Sequence, residues 1–222
     1  MANVSFTRDE AILALDTLMF SKKSNLSSNS LAVIELSQLL NELPIHPTEK
    51  RTANFRNPVG ISDQLRGFGY SLRPNNRVRV GSVFLVVYEE YRNCPEQIHA
   101  IAEAIKQNRE FFKTATFGSE FEGEDFPEGA LLYHLHRVLE ARDGRKIVPA
   151  ENCEICHLNL SEVYKPISGN FLQCHLTVPI TELNGSKHYK TDDFITVCPN
   201  CHAMVHKYRP WVTRDNAGEI LF

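Results

Sequence analysis

The sequence predicts an α+β protein: a mostly helical amino-terminal region followed by a small ββα element closed on metal. Three observations predict it. Apolar residues recur at helical spacing through the first half of the chain. The last third carries two Cys-x-x-Cys pairs, Cys153-Glu154-Ile155-Cys156 and Cys198-Pro199-Asn200-Cys201. Between the pairs lies an apolar stretch containing His175, and directly after the second pair come His202 and His206.

The elements follow in order. Thr7 is placed to cap a first helix, with Glu10 as its capping-box partner, and Ala11, Ile12, Leu15, Leu18 and Met19 then repeat at helical spacing. The polar, serine-rich segment 21–30 reads as a loop. A second helix is expected over 31–43, with Val33, Ile34, Leu36, Leu39 and Leu40 inward, stopped by Pro44 and Pro47. The apolar run 83–87 fits a strand or a buried helix, which periodicity does not separate. Residues 95–106 form a further helix through Ile98, Ile101, Ala102 and Ile105. Five acids and no base stand between 117 and 128, so 107–126 reads as a solvated acidic linker. A helix from Pro127 to Arg142 buries Leu131, Leu132, Leu135 and Val138; its His134 and His136 read as surface or satisfied core residues. Strands are expected as a pair around the Gly169-Asn170 turn, within 169–178, and again at 195–197. A helix over 200–207 is cut off by Pro210. This layout gives regions of 1–106, 107–126 and 127–222, with no internal repeat.

With 222 residues, 42% hydrophobic and 23% charged, the composition is that of a globular protein. No apolar run is long enough to span a membrane and the start is polar, so a cytoplasmic protein is expected. A formal net charge of -3 excludes a chain that holds nucleic acid by bulk basicity. Six cysteines invite a disulfide framework, but four stand in CxxC spacing with no secretory signal, which favours metal in a reducing compartment. Four thiolates, Cys153, Cys156, Cys198 and Cys201, make a closed tetrahedral structural zinc site. That leaves the neighbouring histidines for a second, catalytic ion. Cys94 and Cys174 are left over, Cys94 as a free thiol.

The run Phe171-Leu172-Gln173-Cys174-His175-Leu176-Thr177-Val178-Pro179-Ile180, with Asp193-Phe194-Ile195-Thr196-Val197-Cys198-Pro199-Asn200-Cys201-His202-Ala203-Met204-Val205-His206, resembles the zinc-stabilised HNH endonucleases of the McrA type. Phe126-Pro127-Glu128-Gly129 and Leu139-Glu140-Ala141-Arg142 resemble their lead-in, so the likeness covers roughly 126–208. Less closely, Arg8-Asp9-Glu10-Ala11-Ile12-Leu13-Ala14-Leu15-Asp16, Ile34-Glu35-Leu36-Ser37 and Phe55-Arg56-Asn57-Pro58-Val59-Gly60-Ile61 are similar to the amino-terminal domain of McrA-like modification-dependent restriction nucleases. The resemblance implies a helical domain that recognises double-stranded DNA carrying modified cytosine, such as 5-methylcytosine, followed by an HNH (ββα-metal) nuclease domain. The activity implied is that of a type IV-like restriction endonuclease. On that reading the acidic segment could also serve as a flap against non-substrate DNA.

The residues that read DNA are inferred from chemistry. Segment 48–80 holds Lys50, Arg51, Arg56, Arg66, Arg73, Arg77 and Arg79 against Glu49 and Asp63, enough excess charge to neutralise several phosphates. Phe55, Phe68 and Tyr70 lie in the same stretch, either as core residues or as platforms for a base.

Phosphodiester hydrolysis needs a base for the attacking water and a Lewis acid for the charge that develops on oxygen. The resemblance implies a histidine base, one magnesium or manganese ion held by a strand and a helix residue, and products with 5′-phosphate and 3′-hydroxyl ends. His202 takes the helix-ligand position, Asp193 the position of the family's central Asn, and His206 is a further candidate for metal or phosphate. The family has two adjacent residues, the first for metal and the second as base. Counted back from Pro179 they are His175 and Leu176, and leucine cannot take a proton, so the chain would bind DNA and cleave it poorly. The other alignment pairs Cys174 with His175 as base, but thiolate is a poor magnesium ligand. A nuclease for unmodified DNA, or a DNA-binding module on a dead HNH fold, are the alternatives. One nuclease site per chain suggests a homodimer for double-strand cutting.

Overall fold

The computed structural model describes residues 4–21, 26–71, 82–114, 126–147, 150–164, 171–209 and 211–221. The chain divides into two compact units, Met1–Tyr133 and His134–Phe222.

The first unit is helical. Its elements are α1 (Arg8–Phe20), α2 (Leu31–Glu42), α3 (Pro58–Ser71), α4 (Ser82–Tyr91), α5 (Pro95–Gln107) and α6 (Arg109–Thr114). Helix α1 packs against α2, α3, α4 and α5. Its burial starts at its first turn because that turn is fully capped: the Glu10 N–H donates to the Thr7 hydroxyl and the Thr7 N–H to the Glu10 carboxylate. Ile12, Leu13 and Leu15 of α1 are buried with Leu40, Leu65, Phe68, Phe84 and Ile98 of the helices around it.

The 83–87 run is helical. Phe84, Val87 and Tyr91 are buried at i, i+3 and i+7, while Leu85 and Val86 face outward. In α2, Val33, Leu36 and Leu40 are buried, with Ile34 and Leu39 half-buried. The acidic linker was expected from 107, but α6 occupies 109–114 and Phe112 is buried, because a phenylalanine in reach of a helical core gains more inside than in solvent. Residues 115–125, with most of the acids, lie outside the described residues.

Helix α7 (Ala130–Asp143) begins three residues after the expected Pro127, because 126–129 form a turn closed by Gly129 N–H to Phe126 O. Asp9 caps it from α1, accepting from Ala130 N–H at 3.1 Å and Leu131 N–H at 3.0 Å. Gly129 has φ +88°, and a Cβ there would stand 2.3 Å from Asp9 Oδ1. This position therefore needs glycine both for its backbone angle and for the carboxylate's approach.

The second unit holds one two-stranded antiparallel sheet, β1 (Gln173–Leu176) and β2 (Phe194–Val197), with Gln173 opposite Val197 and His175 opposite Ile195. Strand β1 pairs with β2; the strand pair expected around the Gly169-Asn170 turn falls on residues 165–170, which lie outside the described residues. Helix α8 (Leu160–Val163) precedes β1, and α9 (Pro199–Val205) follows β2. A core of Ile155, Leu172, Ile195, Val197, Val205 and Val212 packs around three of the four CxxC cysteines. The loop between the strands is tied to the end of α7: Asp143 accepts from Tyr189 N–H at 3.0 Å, and Arg142 donates to Gly185 O at 2.8 Å. Among the described residues no helix is long and apolar enough to cross a membrane.

Candidate metal centres

Cys153, Cys156, Cys198 and Cys201 bring four sulfurs within 4.8 Å of one another. None of the six cysteines is in a disulfide. Each CxxC turn aims a backbone N–H at its first sulfur, Cys156 N to Cys153 Sγ at 3.5 Å and Cys201 N to Cys198 Sγ at 3.4 Å. His157, at φ +59°, turns the chain out of the first knuckle. Glu154 N–H donates to Thr196 O at 2.9 Å and Glu154 Oε1 accepts from Thr196 N–H at 2.5 Å, clasping the knuckle to β2. Burial opposes ionisation of Cys153, but surrounding N–H groups win and draw its thiol down to about 7. Burial and the neighbouring sulfurs push Cys201 up. Four thiols this close cannot all ionise without a cation between them, and a tetrathiolate set is what a tetrahedral ion requires.

A second set forms where α7, β1 and α9 meet. Glu140, His175, His202 and His206 place one ligand atom each within 4.8 Å of all the others. Glu140 Oε1 is 2.9 Å from His175 Nδ1 and 3.4 Å from His202 Nε2, and its Oε2 is 3.8 Å from His206 Nε2. His202 Nε2 and His206 Nε2 are 3.0 Å apart. Gln173, which shares the β1 face of His175, accepts from His202 Nδ1, which turns Nε2 into the set. The His175 ring is fully buried; its Nδ1 pairs with Glu140 Oε1, while its Nε2 has no hydrogen-bond partner among the described residues. A buried ring nitrogen left open in this way is compatible with a ligand site. The donor set, three imidazoles and a carboxylate, fits a divalent transition metal.

Burial works against a charge on Glu140, but His136, His175 and His202 hold its carboxyl well below the usual carboxylate range. Burial lowers His175, and takes His136 to about 4 and His206 to about 2. These three rings are neutral at neutral pH, as ligands must be.

The structure brings His175, His202 and His206 together. Glu140 completes the set and was not expected from the sequence. Its signal there is its place in Leu139-Glu140-Ala141-Arg142, the helix end that resembles the nuclease lead-in, with nothing to mark it as a ligand. Arg137 was also missed: it is exposed beside the set, 3.2 Å from Glu140 Oε2 and 3.3 Å from His206 Nε2. His136 is wholly buried; its Nε2 donates to Leu176 O at 2.8 Å, leaving Nδ1 as a lone pair 3.6 Å from Glu140. Leu176 is wholly buried, and strand alternation turns it with Cys174 to the face away from His175. Cys174 joins neither set. Asp193 stands outside the set. Its carbonyl accepts from both the N–H and the hydroxyl of Thr177 at 2.8 Å, bracing the chain just past Leu176.

In the first unit, several residues expected to face DNA are committed to the fold. Arg56 lies at φ +44° with its guanidinium buried, donating to Glu10 at 2.7 and 2.8 Å, Val4 O at 3.0 Å and Ser5 O at 2.9 Å. Arg51 donates to Asn41 O, Leu43 O and His46 O, closing the chain after α2. Phe55 and Phe68 are core residues. A buried glutamate at Glu10 needs a cation, and the apolar interior takes the rings; local charge density does not show either demand. Lys50 is exposed, Arg66 is exposed and paired with Asp63 at 2.7 Å, and Tyr70 is 49% exposed. Arg73, Arg77 and Arg79 lie outside the described residues.

The second unit thus presents a small ββα element, β1-β2-α9, flanked by a four-cysteine set and a His/Glu set, each able to coordinate a metal ion. This arrangement is consistent with an HNH-like ββα-metal fold. Comparison with models of protein families, with curated proteins and with solved structures finds no match to the chain.

Proposed function

We propose that the chain is an HNH-type DNA endonuclease of the modification-dependent, McrA-like kind, with zinc on the four cysteines and a catalytic ion on the histidines. The observation that carries this is the convergence of His175 from β1 with His202 and His206 from α9, on a ββα element held by a second metal set. A bound divalent ion would supply Lewis acidity to the phosphodiester oxygens. The chain's own groups do the rest. Gln173 orients the His202 ring, Asp193 braces the end of β1 through Thr177, and the exposed Arg137 can hold a phosphate oxygen beside the set.

What is missing is a base. Leu176 holds the position where the family's second histidine is expected, and the failure of Cys174 to join the set favours the alignment that makes His175 a ligand. The chain as it stands is therefore read as a DNA binder with impaired cleavage. Recognition of modified cytosine falls to the first unit, with Lys50, Arg66 and Tyr70 as its candidate contacts among the described residues. A homodimer would supply two sites for a double-strand cut.

The test is cleavage of methylated and unmethylated copies of one plasmid by the chain and its Leu176→His form, in magnesium or manganese. A general base contributes about 10²–10⁴ in rate, so the variant should cut at least about a hundredfold faster, on methylated DNA only. Equal cleavage by both forms would remove Leu176 as the lesion. Cutting of both plasmids alike would favour the nuclease for unmodified DNA. Binding without cutting by either form would favour the non-catalytic module.

A further inference from the structure

We propose that Glu140 is a fourth protein ligand of the histidine centre. The resting ion is then a transition metal closed in by His175, His202, His206 and Glu140, and a phosphodiester oxygen enters only by displacing that carboxylate. The inference rests on the metal-bearing reading of this centre and goes beyond it in ligand, metal and access.

Four possible ligand atoms converge here, all within 4.8 Å of one another. The carboxylate of Glu140 is almost wholly buried, and the one backbone hydrogen bond it receives from β1 comes from Leu176 N–H at 3.1 Å. His175 Nδ1 stands 2.9 Å from Glu140 Oε1. His202 Nδ1 donates to Gln173, which turns Nε2 into the set, 3.0 Å from His206 Nε2. Ions held at about 2.0–2.2 Å by four tetrahedral N and O donors set those donors about 3.3–3.6 Å apart. The separations of 2.9 and 3.4 Å to Glu140 Oε1, 3.8 Å to its Oε2 and 3.0 Å between His202 and His206 bracket that spacing.

The chemistry of the set selects the metal. Magnesium keeps several waters and prefers oxygen, whereas three imidazoles suit zinc, cobalt, nickel or iron. The number of protein donors selects the access. Four make a closed centre; three leave a position for water or substrate. Arg137 now stands against two of the ligands, His206 and Glu140, but it is 45% exposed and can turn outward when an ion enters. There it would meet the incoming phosphate that Glu140 gives way to.

The experiment is cobalt(II) loading of the full chain and its Glu140→Gln form, read by metal content and absorption spectrum, with His202→Ala as a control for loss of the centre. Glutamine keeps an acceptor for Leu176 N–H, and the sulfur-to-cobalt band of the cysteine centre reports that the second unit is folded. The wild-type chain should hold two ions, the second with intense tetrahedral bands that millimolar magnesium does not displace. Glu140→Gln should weaken that ion at least about a hundredfold, and fade its bands as water fills the coordination sphere. A second ion with the same affinity and bands in Glu140→Gln would overturn the proposal alone. So would one that is six-coordinate in wild type or exchanged by magnesium. A wild-type chain that binds one ion only would overturn the metal-bearing reading as well.

Discussion

Replacing Arg56 by methionine separates a structural arginine from a DNA contact. The side chain is 4% exposed and makes five hydrogen bonds, two to the Glu10 carboxylate and one each to Val4 O, Ser5 O and His46 Nε2. Methionine fills similar space but leaves Glu10, which has no exposed surface, with only His46 and Thr7 N–H. Breaking a buried pair by removing one partner costs about 3–5 kcal/mol. In a unit of this size each kcal/mol moves the melting point about 3–5 °C, so a drop of about 10–20 °C is expected. The assay pairs thermal melting by circular dichroism with DNA binding across a salt series, at a temperature where both proteins are folded. The slope of log affinity against log salt should be unchanged. A variant that melts within about 2 °C of wild type, with a slope shallower by about 0.9, would refute the reasoning and return Arg56 to the DNA surface.

Three further outcomes are expected. Burial raises Asp9 from 3.8 to about 6, above its unfolded value, so its contribution to stability is present below about pH 4 and is lost as pH rises through 6. Urea titrations between pH 4 and 7 should show Asp9→Asn flattening that fall by on the order of 2–3 kcal/mol, and an identical pH profile in both proteins would contradict it. Gly129→Ala forces a Cβ against Asp9 at an angle of +88°, and should cost about 2–4 kcal/mol by strain and loss of the cap, read as a shifted urea midpoint. Cys153→Ser, or a strong chelator, should abolish the cooperative melting of the second unit, since structural zinc supplies about 10–16 kcal/mol, while the first unit keeps its transition. Unchanged melting of the second unit would show that its core stands without the ion.

The local signals in the sequence were legible wherever one short segment carries the whole cause. Thr7 and Glu10 cap α1 as their spacing requires, Pro95 opens α5, and the two CxxC turns meet in space. The 83–87 run became legible only as a helix in context, because five apolar residues match either period and burial picks out Phe84 and Val87 alone. Glu140 was hidden because its partners lie on β1 and α9, so no spacing within its own helix points to them. Arg56 misled for a related reason. A charge count treats every arginine as solvated, whereas Glu10, buried by the capped start of α1, calls one of them inward. The Asp9 cap on α7 joins positions more than a hundred residues apart and leaves no local trace.

Cys201 and His202 are consecutive residues of α9, a helix of seven residues. A helix that short does not persist alone in water. Its first turn is held by the sulfur of Cys198, and β2 is held by the clasp to the knuckle of Cys153. If metals fill both sets as proposed, the centres have an order of assembly: the sulfur centre fills before His202 and His206 have a common direction. A chain made where that first metal is scarce would carry every ligand of the histidine centre without holding them together. Under the proposed function, cleavage would then follow the supply of a metal that takes no part in the chemistry.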